Sequence, residues 1–578
     1  MSSAQNHRKL TILAQDPGVK VAGRIAFASV DVANEIVADG PTGHRVKVID
    51  FDASANVLYA PRVFGADAKG QASDPFRPKA WKSAAARRKW EAATLANPAF
   101  HAQNVYAIAM RTLARFERAL GRRVRWSFPG HQISIAPHAF CDANAYYSEA
   151  DRAIFFGYFR SPTSRKTVFT CLSHDIVAHE TTHALLDGLR DGFTDPSTPD
   201  QAAFHEGFAD VVALLSVFSL KEIVEAALLG DRRAPAMRKH NRLIPAAALR
   251  LEALADSMLL GVGEQFGAET GGARANALRR SAALKPNRGY LAQARFQEEH
   301  DRGEVFAAAM LRSFLLMWTK RIAALGTFEG DKYNLERVIE EGAKAADNLL
   351  TMAIRALDYC PPVDLTFGDY LAAFLTADAQ TVPDDSRYAY RALVRATFES
   401  YGITVPARLT VRATGEWRQF DPAAEIAYDR THFDSMLHDS EEVFRFVWEN
   451  RKALKIGAAG ELHINSVRPS IRQGQDGFLL RETVCEYVQV LRLFSSELEK
   501  LVGIERPADM ASNVMLTVYG GGTLIFDEYG RIKYHVAQRL EDGPRQAARL
   551  DYLWKNDLIG SARDSGGRFA DMHRNRTL

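Results

Sequence analysis

Thiols are scarce in this chain of 578 residues: its four cysteines, Cys141, Cys171, Cys360 and Cys485, stand far apart and form no C-x-x-C pair. That spacing excludes a zinc ribbon and a disulfide framework and predicts four buried, reduced thiols. An excess of charge of one sign is also missing. Lys plus Arg is 73 against 70 for Asp plus Glu, a net charge of +3, which excludes a polyanion binder driven by bulk charge and an acidic disordered chain. Long apolar runs are absent too, because the best candidates are cut by Asp210 and Arg312 and none approaches the ~20 residues of a spanning helix. The first residues, MSSAQNHRKLTILAQDPG, lack the apolar stretch of a secretory signal, since LTIL runs straight into Gln15 and Asp16. There is no internal repeat and no low-complexity tract. Together these absences predict a cytoplasmic protein with no membrane and no nucleic-acid partner. Nothing in them bears on oligomeric state.

What is present divides the chain into four regions. Residues 1–95 read as a β-rich N-terminal region and linker: RIAFASVDV, HRVKVIDFD and NVLYAPRVF alternate apolar and polar positions like a small antiparallel sheet, and 65–95, with Pro75, Pro78 and the basic WKSAAARRKW, reads as a surface connector. Residues 96–230 begin with a helical period in HAQNVYAIAMRTLARFERALG and continue through strand-like WSFPGHQISIAPHAF. Helical spacing dominates about 172–190, 201–229, 301–324, 333–357, 366–378 and 386–401, with Gly402 as a stop signal, so 231–404 form a helical lobe. Residues 405–578 return to mixed helix and strand, with a β-meander expected in NVMLTVYGGGTLIFDEYGRIKYHVAQRL. The fold class is α+β.

The chemistry concentrates in CLSHDIVAHETTHALLDGLR, where His179, Glu180 and His183 stand in an H-E-x-x-H pattern. Residues four apart share one helical face, so both imidazoles reach one ion, while Glu180 projects about 100° round the helix toward a water. A second segment, AAFHEGFADVVALLSVF, supplies Glu206 and, one turn on, Asp210. Two His and a carboxylate are an established ligand set for one catalytic Zn2+. Glu206 is the third ligand, and Asp210 is placed to accept the far N–H of a ligand imidazole. These acids sit among Phe208, Ala209, Val211 and Val212, where an uncompensated carboxylate would be costly.

The order and spacing of His179, Glu180, His183, Asp187, Glu206 and Asp210 resemble the thermolysin-like gluzincin metallopeptidases, and to a lesser degree the fungalysin branch. The likeness covers about residues 95–402. It implies a two-lobed metallopeptidase core, a mixed sheet with the zinc helix followed by a mainly helical lobe, flanked by the β-rich N-terminal region and an α+β C-terminal domain. NAYYSEADRAIFFGY looks like the family's edge strand, which implies that Asn144 and Ala145, with neighbouring Tyr146, hold an extended peptide. HDRGEVFAAAM looks like the segment that brings a transition-state histidine to the cleft, which implies that role for His300, with Glu304 and Phe306 as neighbours. Asp187 joins Asp210 behind the ligands. His205 stands where the family usually has Asn, and FTDPSTPDQAAF holds no Tyr to assist the histidine. A rival, His463 in ELHINSVRPS, is closer to the family's histidine motif in its letters but lies outside the matched region.

The activity implied is hydrolysis of peptide bonds in a peptide or protein substrate by a zinc-activated water, with Glu180 as general base, in an endopeptidase. Two alternatives stand beside it: a gluzincin-like binding or scaffold module with weak or no catalysis, and an aminopeptidase, although the G-x-M-E-N motif of that branch is missing. Calcium is not expected, because Asp191, Asp195 and Asp200 lack the spacing of an EF-hand loop and suit turns and caps. YGGGTL has no phosphate-loop Lys and reads as a turn or bulge; His174 reads as an ordinary helix residue; RRVRW, MRKHNR and the HRNRTL tail read as solvated.

Overall fold

In the computed structural model, residues 7–559 are described apart from 19, 22, 64–73, 163, 195–196, 239–241, 262–280, 282, 422, 424 and 475–476. Asp195, the HRNRTL tail, part of the 65–95 connector and part of MRKHNR lie outside the described residues. The alternation in HRKLTIL and FASVDVA produces two strands, β1 (His7–Leu13) and β2 (Phe27–Ala33), paired antiparallel with His7 opposite Ala33. The rest of the N-terminal region departs from the small antiparallel sheet expected there. β3 (Val46–Val48) buries both valines and pairs parallel with β4 (Ile133–Phe140), so this region contributes a strand to the central sheet. β5 (Ala145–Ser148) and β7 (Thr167–Phe169) run antiparallel to β6 (Ala153–Arg160), which in turn runs parallel to β4. The result is a mixed five-stranded sheet in the order β7, β6, β4, β3, with β5 also on β6.

WKSAAARRKW forms the start of α1 (Ala84–Leu95), capped by Ser83, and α2 (Pro98–Leu120) follows, capped by Asn97 and ended by Gly121 in the left-handed region. α3 (His174–Leu189) and α4 (Pro199–Phe218) are buried on nearly every side, with Thr198 capping the second. Helices buried all round belong in the centre of a large core, and the polar groups that α3 and α4 carry there have to find partners. The single helix expected over 201–229 is divided: α5 (Lys221–Arg238) starts afresh after Ser219, whose Oγ donates to the Ser216 carbonyl (2.6 Å). A hydroxyl bonded back to the chain competes with helix continuation. The helical middle continues as α6 (Leu251–Gly261), α7 (Glu299–Ala323), α8 (Leu335–Ala356), α9 (Phe367–Thr381) and α10 (Tyr390–Ser400). Rings of Phe204, Phe306, Phe367 and Tyr370 pack where α4, α7 and α9 meet. No helix among the described residues is long and apolar enough to cross a membrane.

Near the C-terminus, β8 (Glu461–Gln473), β9 (Leu479–Phe494), β10 (Met515–Phe526) and β11 (Ile532–Gln538) form a four-stranded antiparallel meander. YGGGTL is no turn here but lies inside β10. A Cβ on Gly522 would sit 2.7 Å from the Tyr487 hydroxyl, so the absence of a side chain lets the β9 tyrosine cross the strand. Another correction concerns thiols: Cys171, Cys360 and Cys485 are buried, but Cys141 is exposed in the turn between β4 and β5.

This meander is fastened to the core by buried charge. Arg122, just past α2, grips Asp358 with both nitrogens (2.5 and 2.6 Å), Arg472 of β8 joins the same carboxylate, and Arg472 also meets Glu482 (2.5 Å). Glu482 further accepts from Tyr359 (2.6 Å) and Lys533 (2.5 Å). Burial alone would raise the Asp358 pKa, yet Arg122 and Arg472 hold it well below the usual carboxylate range. Arg468 of β8 donates to the Leu189 carbonyl (2.8 Å), so the meander also holds the end of α3. Removing one partner from such a network strands buried charges, so Arg472→Met is expected to lower the unfolding free energy by about 3–5 kcal/mol in denaturant titration. A loss below about 1 kcal/mol would contradict a structural role for the network.

Candidate metal centre

α3 is packed against α4, and the contact brings His179, His183 and Glu206 together, all buried, with one ligand atom from each within 4.8 Å of the others. His179 Nε2 lies 2.9 Å from His183 Nε2, and the Glu206 carboxylate oxygens lie 3.5 Å and 3.3 Å from these nitrogens. Ligands in tetrahedral array about 2.0–2.1 Å from a zinc-sized ion are spaced about 3.3 Å apart. The three separations bracket that value, so the group could hold a metal ion with little movement. Such a site is consistent with a zincin-like centre.

The far side of each imidazole is also held. His179 Nδ1 is 2.9 Å from Asp210 Oδ1, and His183 Nδ1 is 2.8 Å from His205 Nδ1. A proton on Nδ1 of each ligand ring, donated outward, leaves the Nε2 lone pair for a cation. Burial lowers the His179 pKa, but hydrogen bonds to Asp210 and Glu206 override it and raise it to about 9. The electron-rich Nε2 that attracts a proton also attracts a cation, so the two compete for one position.

Glu180 is buried beside this group and accepts a hydrogen bond from the Tyr147 backbone N–H of β5 (3.1 Å). The Tyr147 hydroxyl donates to Asp187 (3.0 Å), which ties Asp187 to the strand that meets Glu180. Asn144 and Ala145 are buried at the start of β5, where the Asn144 side chain accepts from the Ala145 N–H (2.8 Å). Tyr146 stacks on Phe140 with ring centroids 5.7 Å apart.

His300 stands in the first turn of α7 and brings Nε2 to 3.9 Å from Glu206 Oε2. Its approach depends on two glycines. Gly207 of α4 faces Gly303 of α7, and a Cβ on Gly207 would sit 2.9 Å from the Gly303 carbonyl oxygen. Glu298 both caps α7, accepting from the His300 and Asp301 N–H groups (3.0 and 2.8 Å), and accepts from His300 Nδ1 (2.7 Å). Burial would raise the Glu298 pKa, but the bond to His300 and its charge bring it down to about 2. His463 is elsewhere, half exposed on β8 with Glu461 3.5 Å away. His174 is the first residue of α3, buried, and its ring lies outside the group formed by His179, His183 and Glu206.

No protein-family model matches the chain, and no curated protein matches it. Three participants are not evident as functional groups in the sequence. His205 is visible there only as an imidazole in place of an amide. Glu298 is signalled by an acid two residues before His300, and Tyr147 by its period-two relation to Ala145 on a strand. If His205 and Asp210 orient the two ligand rings, His205→Ala and Asp210→Ala should each weaken binding of added Zn2+ about 10- to 100-fold in competition with a chelator. Unchanged affinity in both variants would contradict that role.

Proposed function

We propose that this chain is a zinc-dependent metallopeptidase of thermolysin-like gluzincin type, acting as an endopeptidase. The observation that carries the reading is the place of Glu180: a buried carboxylate beside the convergent His179, His183 and Glu206 group that also touches the edge of β5 through Tyr147 N–H. A binding module needs the donors but has no use for a base at that point.

Zinc bound by His179, His183 and Glu206 supplies Lewis acidity and lowers the pKa of water toward ~7. Glu180 takes the proton from the attacking water and passes it to the leaving amine. β5 is paired with β6 on one edge. An extended peptide added along its other edge would be drawn past Glu180, with Asn144, Ala145 and Tyr146 in contact with it. His300, its Nδ1 engaged by Glu298, aims Nε2 at the same space and donates to the oxyanion of the tetrahedral intermediate. Glu298 positions His300.

Glu180→Gln is expected to keep the bound zinc and the fold while cleavage of a denatured protein falls about 100- to 10,000-fold. Sequenced products of the parent enzyme should show internal cuts that a chelator abolishes. Full activity in the variant would overturn the mechanism, and stepwise amino-terminal loss would overturn the endopeptidase assignment. Glu298→Ala should lower kcat about 100- to 1,000-fold with KM little changed; a rise in KM alone would remove His300 from the oxyanion role.

A further inference from the structure

A second convergence of donors is built from other elements. His101 stands on α2, His138 on β4, and Cys171 in the single turn Thr170–Leu172 that leads from β7 into α3. All three are buried, and one ligand atom from each lies within 4.8 Å of the others. Rings of Phe169 (4.8 Å from the His101 ring, 5.3 Å from that of His138) and Tyr59 (5.5 Å from that of His138) close around them.

Hydrogen bonding outside the group fixes what faces inward. His138 Nδ1 lies 2.9 Å from both oxygens of Asp50, and His101 Nε2 lies 2.7 Å from the Leu95 carbonyl oxygen. A carboxylate and a carbonyl only accept, so each of these outer nitrogens carries a proton. The inner nitrogens, His138 Nε2 and His101 Nδ1, then confront each other at 2.7 Å with lone pairs on both sides. A cation shared by the two nitrogens relieves that repulsion, as does one added proton held by the His138 and Asp50 pair.

The third donor points the same way. Cys171 is a buried thiol within reach of both rings, and coordination deprotonates a thiol outright. A divalent ion with one thiolate and the Asp50 carboxylate behind His138 would leave the interior neutral overall, as a dry site requires. Asp50 stands to His138 as Asp210 stands to His179. Sulfur with two imidazoles selects a late transition ion over magnesium or calcium.

We propose that His101, His138 and Cys171 form a second metal site, structural in role, that takes Zn2+. The ion would tie α2 and β4 to the residues entering α3, since Ser173, the cap of α3, follows Cys171 by two positions. Asp50 adds the N-terminal region to the same point. The site stands on residues separate from the proposed catalytic ones, so either can fail without the other.

X-ray absorption at the zinc edge tests it, because sulfur belongs to this donor set and not to His179, His183 and Glu206. The full chain, in a Cys141→Ser background that removes the exposed thiol, is loaded with Zn2+ and freed of excess. Two ions per chain are expected, with a sulfur shell at about 2.3 Å beside nitrogen and oxygen at about 2.0–2.1 Å. Cys171→Ser should lose one ion and the whole sulfur shell, whereas His183→Ala should lose the other ion and keep the sulfur. Cobalt(II) loading supplies a second readout, a near-ultraviolet sulfur-to-metal charge-transfer band present before and absent after Cys171→Ser. A loaded parent protein with no sulfur shell and no such band would overturn the proposal in favour of a charged imidazole pair, and that result requires no variant to fold.

Discussion

The structure turns on one constraint: ionisable groups are buried where α3 crosses α4. His179, Glu180, His183 and Glu206 all lie out of solvent on these two helices. A dry interior does not tolerate charge or bare polar atoms, so each group has to be met by a hydrogen bond, an opposite charge or a metal. The neighbouring elements meet that demand. Asp210 and His205 come from α4 itself, the Tyr147 N–H from the edge of the sheet, and His300 from the first turn of α7. Close approach of α7 is possible because Gly207 and Gly303 leave no side chain between the two backbones.

Rigidity around this crossing comes from further away. The C-terminal meander reaches the end of α3 through Arg468 on the Leu189 carbonyl, and Arg190, immediately after α3, meets Glu486 of β9. The same face carries the Arg122, Asp358, Arg472 and Glu482 network. At the other end of α3, the turn holding Cys171 leads into the helix from the sheet side. α3 is thus held at both ends, away from its central histidines, which keeps the spacing of a group that could hold a metal ion.

Much of the crossing was legible in the sequence, and the reason is local geometry. Helical periodicity puts His179 over His183 and Glu206 over Asp210 whatever the tertiary fold. The α+β character and the helical middle followed from the same periods. What the sequence concealed depended on partners distant along the chain. β3 reads as part of a small antiparallel sheet, and only its pairing with β4 reveals a parallel strand of the central sheet. Ser219 divides a helix through a bond no periodicity records. YGGGTL reads as a turn until Tyr487 is seen to need the room. His205, Glu298 and Tyr147 take meaning from the rings and carboxylates they face, and His101, His138 and Cys171 come from three elements with no shared motif.

The central claim is that the α3 and α4 crossing is a metal centre. Anomalous diffraction at the zinc edge, from crystals of the full chain incubated with Zn2+, addresses it directly. A peak is expected between His179 Nε2, His183 Nε2 and the Glu206 carboxylate, about 2.0–2.2 Å from each, with Asp210 and His205 still on the far nitrogens. No peak there, with the two imidazoles hydrogen-bonded to each other and to Glu206 in zinc-soaked crystals, would contradict it.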